Sequence, residues 1–205
     1  DNQEENESTN SHEAETHQVE PQTMDNEDNL LNQLLSLGKI NDLAWSEETQ
    51  TLAVCSESGL MVYVKETKVD LPLDISNKQC MKVALSPSNT WIAIIQPKNK
   101  DVIIWDYISG KDPFHARALQ WPLAFDWSTD NALAVVFPNL IRIYEKSLDG
   151  EWGASDKSKW FEFDFQETSD GTVLWSPYGD VIATNDGIGM KMLRIDYLSD
   201  NPWEL

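Results

Sequence analysis

Short apolar runs recur along this chain and are separated by polar turns. Four of the runs end in a serine, and a second apolar run follows each serine after a turn rich in Asn, Asp, Thr, Gly or Glu. Runs of this length, bounded by turn residues, are typical of β-strands. The four serines, spaced by 40, 42 and 48 residues, are Ser46, Ser86, Ser128 and Ser176. The pattern therefore predicts a repeated strand–turn–strand unit.

A third apolar run in each unit gives a similar period. It carries a large side chain at equivalent places, namely Tyr63, Trp105, Tyr144 and Ile195. A fourth, more exposed strand is predicted at residues 68–73 and at residues 160–165, where apolar and acidic residues largely alternate. Residues 112–119 include Pro113, which fits only an edge strand or a loop. Residues 146–159 are predicted to form a loop that absorbs the extra length of the third unit.

Four short strands in a unit of about 40 residues are the sequence pattern of a β-propeller blade. The predicted fold class is therefore all-β, with about three full blades and one partial blade. The predicted units span residues 40–79, 80–119, 120–170 and 171–205, within a partial propeller of residues 39–205.

Two motifs resemble those of the WD40-repeat family. Ile103-Ile104-Trp105-Asp106 carries the Trp-Asp dipeptide after an apolar strand, and Trp175-Ser176-Pro177-Tyr178-Gly179-Asp180 resembles the turn between the first two strands of a blade. The blades are divergent, because none has the Gly-His pair of that family and only one keeps Trp-Asp. The resemblance implies an interaction scaffold in a ring of more than four blades. We expect the ring to be completed by sequence outside this chain or by a partner chain, and we favour the former.

The first 28 residues differ from the rest of the chain in composition. They hold ten acidic residues, no Lys or Arg and no aromatic residue, which predicts a disordered tail. Subtracting those ten charges from the formal charge of −20 leaves −10 for residues 29–205. Such a charge favours basic protein partners and argues against direct binding of nucleic acid. The tail is predicted either to steer a basic partner or only to keep the chain in solution.

Residues 29–38 are predicted to form a short amphipathic helix that ends at Gly38. Leu31, Leu34 and Leu35 follow a Leu-x-x-Leu-Leu pattern, which resembles short helices that dock into apolar grooves. These leucines either bind a partner in that way or pack on the first blade. We favour packing, because the pattern arises easily by chance.

Two cysteines are present, Cys55 and Cys80, and each stands within an apolar, strand-like run. We predict two buried thiols rather than a disulfide, because disulfide-stapled domains usually carry more cysteines. No apolar run approaches the ~18–20 residues of a membrane span. The predicted location is therefore intracellular, in the nucleus or the cytoplasm.

No constellation of reactive side chains can be recognised in the sequence. Two of the three histidines, His12 and His17, lie in the acidic tail, and His115 is predicted to be an exposed loop residue. There is no zinc-ligand spacing, phosphate-binding loop or nucleophile elbow. We therefore predict no catalytic, cofactor-binding or metal-binding residue, and no enzymatic activity.

The tryptophans supply the remaining candidates for partner binding. Trp121, Trp152 and Trp203 stand outside the repeated core positions, which favours a role in binding. The predicted packing tryptophans, which share one place in the repeat, are Trp45, Trp127 and Trp175.

The predicted function is a non-enzymatic protein–protein interaction scaffold in a multiprotein complex. One alternative is the propeller part of a larger enzyme, such as a peptidase. Another is the N-terminal propeller of a propeller–solenoid subunit of a coat, nuclear pore or transcription complex.

Overall fold

The computed structural model describes residues 32–76, 78–117, 120–138, 140–154, 171–185 and 189–195. The chain divides into two units, residues 1–36 and 37–205, and the predicted acidic tail of residues 1–28 lies outside the described residues. In the first unit residues 32–36 are helical, and the Ser36 hydroxyl donates to the Gln33 carbonyl over 2.6 Å. Within these ranges, every helix is too short or too polar to cross a membrane.

The second unit contains four antiparallel sheets, which we call blades 1 to 4. Blade 1 comprises β1 (Ile40–Ser46), β2 (Thr51–Ser56), β3 (Leu60–Val64) and β4 (Thr67–Lys68). Blade 2 comprises β5 (Lys82–Leu85), β6 (Trp91–Gln96), β7 (Asp101–Asp106) and β8 (Phe114–Arg117). Blade 3 comprises β9 (Ala124–Trp127), β10 (Leu133–Phe137), β11 (Leu140–Lys146) and β12 (Trp152–Ala154). The described part of blade 4 comprises β13 (Thr172–Trp175), β14 (Val181–Asn185) and β15 (Met190–Arg194).

The order of strands within each blade follows the sequence, so each strand pairs with its neighbour along the chain. The first strands of successive blades contact one another, which places β1, β5, β9 and β13 along a common inner edge. This arrangement confirms the predicted all-β, propeller-like fold.

The apolar core lies between the blades, because both faces of an inner blade are covered. Separate buried clusters fill the spaces between blades 1 and 2, blades 2 and 3, and blades 3 and 4. Each fully buried aliphatic side chain stabilises the fold by about 1.5–3 kcal/mol relative to exposure. Isoleucines that are almost wholly buried include Ile92, Ile94, Ile103, Ile141 and Ile182.

The repeated serine has a structural role in the turn after each first strand. In blade 2 the Ser86 hydroxyl accepts the N–H groups of Thr90 and Trp91, at 3.3 and 3.1 Å. Ser176 does the same for Asp180 and Val181 in blade 4. A hydroxyl in this place satisfies turn N–H groups that the sheet ladder does not use. Three residues after the serine, the backbone has positive φ at Asn89, Asn131 and Gly179.

The fourth strands differ from the prediction. In blade 3 the fourth strand is β12, inside the range predicted to be a loop, because residues 152–154 pair with β11 and the Trp152 ring contacts other tryptophans. Residues 160–165 lie outside the described residues. In blade 1 the strand ends at Lys68, and Pro72, which lacks an N–H for a ladder, begins a short helix at Leu73–Ser76. Pro113 stands just before the edge strand β8, as its chemistry requires.

The prediction of two free thiols was wrong. Cys55, in β2, and Cys80, just before β5, form a disulfide that joins blades 1 and 2. The two residues are 25 positions apart, and spacing alone does not reveal that the fold brings their Cβ atoms together. Two hydrogen bonds hold the same junction together. The Asn41 amide donates to the Cys80 carbonyl over 2.7 Å, and the Val83 N–H donates to an Asp42 carboxylate oxygen over 3.0 Å.

Candidate functional site

A cleft of about 250 Å³ lies between the outer parts of blades 2 and 3. The turn from β7 to β8 forms one wall, and the turn from β11 to β12 forms the other. Both turns stand at the same end of the blades as the serine turns. The lining residues are Trp91, Ile104, Asp106, Lys111, Asp112, Pro113, Phe114, Lys146, Gly150, Glu151 and Trp152.

Tryptophan rings that pack edge to face form the apolar part of this cleft. The Trp152 ring meets Trp91 edge-on, with centroids 5.3 Å apart, and meets Trp127 at 5.9 Å. Trp127 is buried beneath them and donates its indole N–H to the Ala84 carbonyl over 3.4 Å. Trp91 and Trp152 are only half-buried. The cleft therefore offers two rigid ring surfaces that are held from below, the arrangement that gives aromatic contacts much of their strength.

The Tyr144 side chain supports the cleft from within blade 3. Its ring lies 6.1 Å from that of Phe114, a lining residue on β8. Burial raises the pKa of the Tyr144 hydroxyl, and the nearby Arg142 opposes that rise only in part. Tyr144 therefore stays neutral at physiological pH and packs behind the wall that Phe114 forms.

Charged groups of both signs surround the rings. The Lys146 ammonium lies 5.1 Å from the centre of the Trp91 ring, within the range of a cation–π interaction. Lys111 adds a second positive charge to the lining, and three carboxylates add negative charge. The acidic members of the lining are Asp106, Asp112 and Glu151. The formal charge of the lining is thus slightly negative.

Hydrogen bonds within the two turns fix the positions of these charges. Trp105, which is buried, donates its indole N–H to the Lys111 carbonyl over 3.0 Å, and Asp106 accepts the N–H of Ser109 over 2.9 Å. In the opposite turn the Ser147 hydroxyl bonds the Asp149 carboxylate and accepts the Glu151 N–H over 3.2 Å. The bond from Ser147 lowers the pKa of Asp149. The Trp-Asp dipeptide therefore orders one wall of the cleft.

The cleft combines apolar ring surfaces with charged groups. Half-buried aromatic faces beside carboxylates suit a side chain that is both apolar and cationic, such as Lys or Arg. The described part of the chain holds no group of three or more His, Cys, Asp or Glu residues that could bind a metal ion.

The structure separates the predicted binding residues. Trp152 lines the cleft, whereas Trp121 lies at the opposite end of the blades, 46% exposed, with the Lys100 ammonium 5.5 Å from its ring centre. Leu34 is half-buried and Leu35 is exposed in the first unit. Leu31 and Trp203 lie outside the described residues.

Three expectations about packing and exposure are corrected or extended. Trp127 is buried and Trp175 is half-buried, as a packing role requires, but Trp45 is 60% exposed. His115 is not an exposed loop residue, because it lies in β8 with Nδ1 3.5 Å from an Asp101 oxygen.

Trp91 was missed as a site residue. The available signal was that Trp91 and Trp152 both follow turns at the same end of their blades.

Comparisons with known proteins support the fold. No protein-family model matches the chain, and no curated protein sequence matches it significantly. Among solved structures, the chain is similar to one from a mitotic checkpoint complex, with 15% identity, a TM-score of 0.59, and coverage of 76% of this chain and 50% of that chain. A protein from Desulfotomaculum acetoxidans gives 13% identity, a TM-score of 0.57, and coverage of 80% and 53%. A protein from Lactobacillus plantarum gives 14%, 0.54, and coverage of 76% and 51%. The chain thus spans about half the length of the structures it matches.

Proposed function

We propose that this chain is a non-enzymatic interaction scaffold, and that the cleft between blades 2 and 3 is the site where it holds a basic segment of a partner protein. The single observation that carries the proposal is a pair of half-buried tryptophans, Trp91 and Trp152. Their accessible surfaces line a cleft that also contains carboxylates. Aromatic residues in well-packed pockets supply most of the energy of protein interfaces.

The preference for a basic segment follows from charge. The chain carries a formal charge of −20, and the cleft lining holds three carboxylates against two lysines. Lys146 already rests on the Trp91 ring, which demonstrates that this ring accepts an ammonium group. A Lys or Arg side chain of a partner would use the same attraction on the free part of the cleft. The similarity to a chain from a multiprotein complex is compatible with this role.

We infer that the blades are divergent WD40-like repeats. Trp105-Asp106, which ends β7, and the turn at Trp175–Asp180 support this assignment, because both stand at the end of the blades where the cleft opens. The compartment remains a prediction. A disulfide is typical of proteins that fold under oxidising conditions, so Cys55–Cys80 argues against the reducing nucleus or cytoplasm expected from the sequence.

Selection from a phage-displayed library of random peptides, followed by fluorescence titration of the selected peptides, tests the proposal. We expect peptides rich in Lys and Arg, and we expect Trp152→Ala to weaken their binding at least about tenfold. Trp121→Ala is the matched control, because that tryptophan is also partly exposed but lies at the other end of the blades. It should leave binding unchanged.

Two further measurements test the contribution of charge to binding in the cleft. Removing the resident cation by Lys146→Met should tighten the binding of basic peptides, since they would no longer compete for the Trp91 ring. Raising the salt from about 50 to about 300 mM should weaken binding by wild type and variant alike, because it shortens the Debye length. Selected peptides that are acidic, or that bind the Trp152→Ala variant as tightly as the wild type, would rule the site out.

A further inference from the structure

The cleft between blades 2 and 3 contains two matched pairs, each of which sets one tryptophan ring beside one charged side chain. In blade 2, Trp91 stands opposite Asp106 in the register of β6 and β7. In blade 3, Trp152 stands opposite Lys146 in the register of β12 and β11. Side chains directly opposite each other on antiparallel strands share a face and have Cβ atoms only about 4.5–5.5 Å apart. Each ring therefore has a charged neighbour of its own within the cleft lining.

The two rings form a corner that the core holds in place. The planes of Trp91 and Trp152 stand at 88° to each other, with the edge of one ring against the other. Both rings, and the lining residue Phe114, pack against the buried cluster between blades 2 and 3. Because this packing fixes the rings in advance, they lose little conformational freedom when a ligand binds.

A cation already lies against one wall of this corner. Lys146 of blade 3 reaches across to blade 2, where its ammonium group is 5.1 Å from the centre of the Trp91 ring. The Lys146 side chain is exposed, so water competes with the ring for its compact, strongly hydrated charge. The Trp91 ring is thus a place for an ammonium group that a less hydrated cation can take over.

An unmodified lysine of a partner has no advantage over Lys146, because it presents the same group to the ring. Lys146 is also tethered beside Trp91, which gives it an effective concentration on the order of mM. Methylation of a lysine keeps the positive charge and replaces the N–H donors by methyl groups. Such a group is less hydrated and makes more van der Waals contact with aromatic faces. A trimethylated lysine therefore displaces Lys146 more readily than an unmodified lysine does.

The charges of the lining favour a peptide over a choline head group, which also carries a quaternary ammonium. In a choline lipid that ammonium is accompanied by a phosphate. The lining carboxylates repel a phosphate and attract the basic residues of a peptide; they belong to Asp106, Asp112 and Glu151. The formal charge of −20 on the whole chain acts in the same direction.

We propose that the group bound in this cleft is the quaternary ammonium of a trimethylated lysine, within a basic segment of a partner protein. It takes the place of the Lys146 ammonium against Trp91, while Trp152 and Phe114 form the other aromatic surfaces around it. The lining carboxylates bind basic residues that flank the methylated lysine. This inference rests on the proposed function, because it specifies the chemistry of the basic segment that the cleft holds.

Fluorescence anisotropy with three labelled peptides tests the proposal on the full chain. The peptides share the sequence Gly-Arg-Lys-Arg-Gly, and the central residue is lysine, trimethyl-lysine or a neutral analogue with a tert-butyl group in place of the trimethylammonium. We expect the trimethylated peptide to bind at least about tenfold more tightly than either of the others. Affinity equal to that of the unmodified peptide, or to that of the neutral peptide, overturns the proposal.

Two variants locate this preference on the ring. Trp91→Leu should reduce the preference for the trimethylated over the unmodified peptide to less than about twofold, and circular dichroism verifies that the variant keeps the β-fold. Trp121→Leu is the matched control, because Trp121 also has a lysine ammonium near its ring, at 5.5 Å, but lies at the opposite end of the blades. It should keep the full preference. A preference that Trp121→Leu abolishes and Trp91→Leu retains overturns the proposal.

The outcomes distinguish this inference from the proposed function. Trimethylated and unmodified peptides that bind equally well, and that Trp152→Ala weakens alike, overturn the inference and leave the proposed function standing. If neither peptide binds, or if Trp152→Ala changes neither affinity, both are overturned. Phosphocholine that displaces the trimethylated peptide as readily as free trimethyl-lysine does overturns the assignment to a peptide, because the lining then does not repel the phosphate.

Discussion

The junction between blades 1 and 2 and the junction between blades 3 and 4 hold equivalent strands together by different chemistry. At the junction of blades 3 and 4, Trp175 donates its backbone N–H to an Asp126 carboxylate oxygen over 2.8 Å and its indole N–H to the Asp126 carbonyl. At the junction of blades 1 and 2, the residue equivalent to Trp175 is Leu85, which has no donor in its side chain. There the Cys55–Cys80 disulfide and the Asn41 amide join the two blades.

The difference teaches that a repeated backbone contact does not require a repeated side chain. A bond from a backbone N–H to a carboxylate is present at both junctions, from Val83 to Asp42 and from Trp175 to Asp126, but the second pair stands two places nearer the repeated serine. The second link differs in kind, because it is a disulfide between blades 1 and 2 and an indole hydrogen bond between blades 3 and 4. Removing each link in turn measures how much each junction depends on it.

The largest effect is expected at the junction of blades 2 and 3. Trp127→Ala removes a buried ring that contacts Trp152 and leaves a cavity, so it should lower the free energy of unfolding by about 3–5 kcal/mol. Urea unfolding followed by circular dichroism measures this value. Tyr178→Ala, at an exposed turn residue, should change it by less than about 0.5 kcal/mol. Equal losses in the two variants would contradict the burial of Trp127 in the folded protein.

The next largest effect is expected from the disulfide. Cross-linking residues 25 positions apart restricts the unfolded chain, so replacing both cysteines by alanine should lower the free energy of unfolding by about 3 kcal/mol. A reducing agent should destabilise the wild type by a similar amount and leave the double variant unchanged. If reduction has no effect on the wild type, the bond is not formed in solution.

The repeated serines and the disulfide illustrate which features the sequence could predict and which it could not. The repeated Ser46, Ser86, Ser128 and Ser176 were visible because the turn they build depends on neighbours within five residues, and such local requirements leave a periodic pattern. The blade fold followed from that pattern. The disulfide was not predictable, because its formation depends on the contact between β2 and the β5 region that only the assembled blades create.

The cleft shows the same division between local and long-range features. Trp152 could be singled out because it stands outside the repeated core positions. Trp91 could not, since it begins a strand as buried residues do, and it becomes part of the cleft only because the turn between β11 and β12 of the next blade forms the opposite wall. Trp45 was misjudged for the opposite reason, because its place in the repeat is a packing position only where another blade precedes it.

A smaller effect is expected when only the indole donor is removed. Trp175→Phe keeps an aromatic ring but loses the bond to the Asp126 carbonyl, so it should cost about 1–2 kcal/mol from the lost bond and the smaller ring. Tyr178→Phe removes a hydroxyl group from an exposed residue and provides the control. A loss as large as that of Trp127→Ala would mean that the ring, rather than the bond, holds the junction of blades 3 and 4.

The smallest effect concerns the charge of Asp126. Burial raises the pKa of this carboxyl above its usual 3.8, against the opposing effect of the N–H groups of Trp175 and Trp127. The folded protein therefore binds this proton more tightly than the unfolded chain, so the stabilisation is complete below pH 3.8 and is lost as the pH rises through the raised pKa. Asp126→Asn keeps an acceptor for the Trp175 N–H without the buried charge. The melting temperature of the variant should accordingly rise relative to that of the wild type as the pH increases from 3.8 toward neutrality.

Asp149 supplies a control of opposite sign for this last comparison. The Ser147 hydroxyl lowers the pKa of Asp149, so its stabilisation is present above pH 3.8 and is lost as the pH falls through the lowered pKa. Asp149→Asn should therefore melt below the wild type at neutral pH and approach it in acid. If the difference between Asp126→Asn and the wild type stays constant with pH, or follows the trend of Asp149→Asn, then the Asp126 carboxylate is solvated at the junction and the bond from Trp175 favours its charged form.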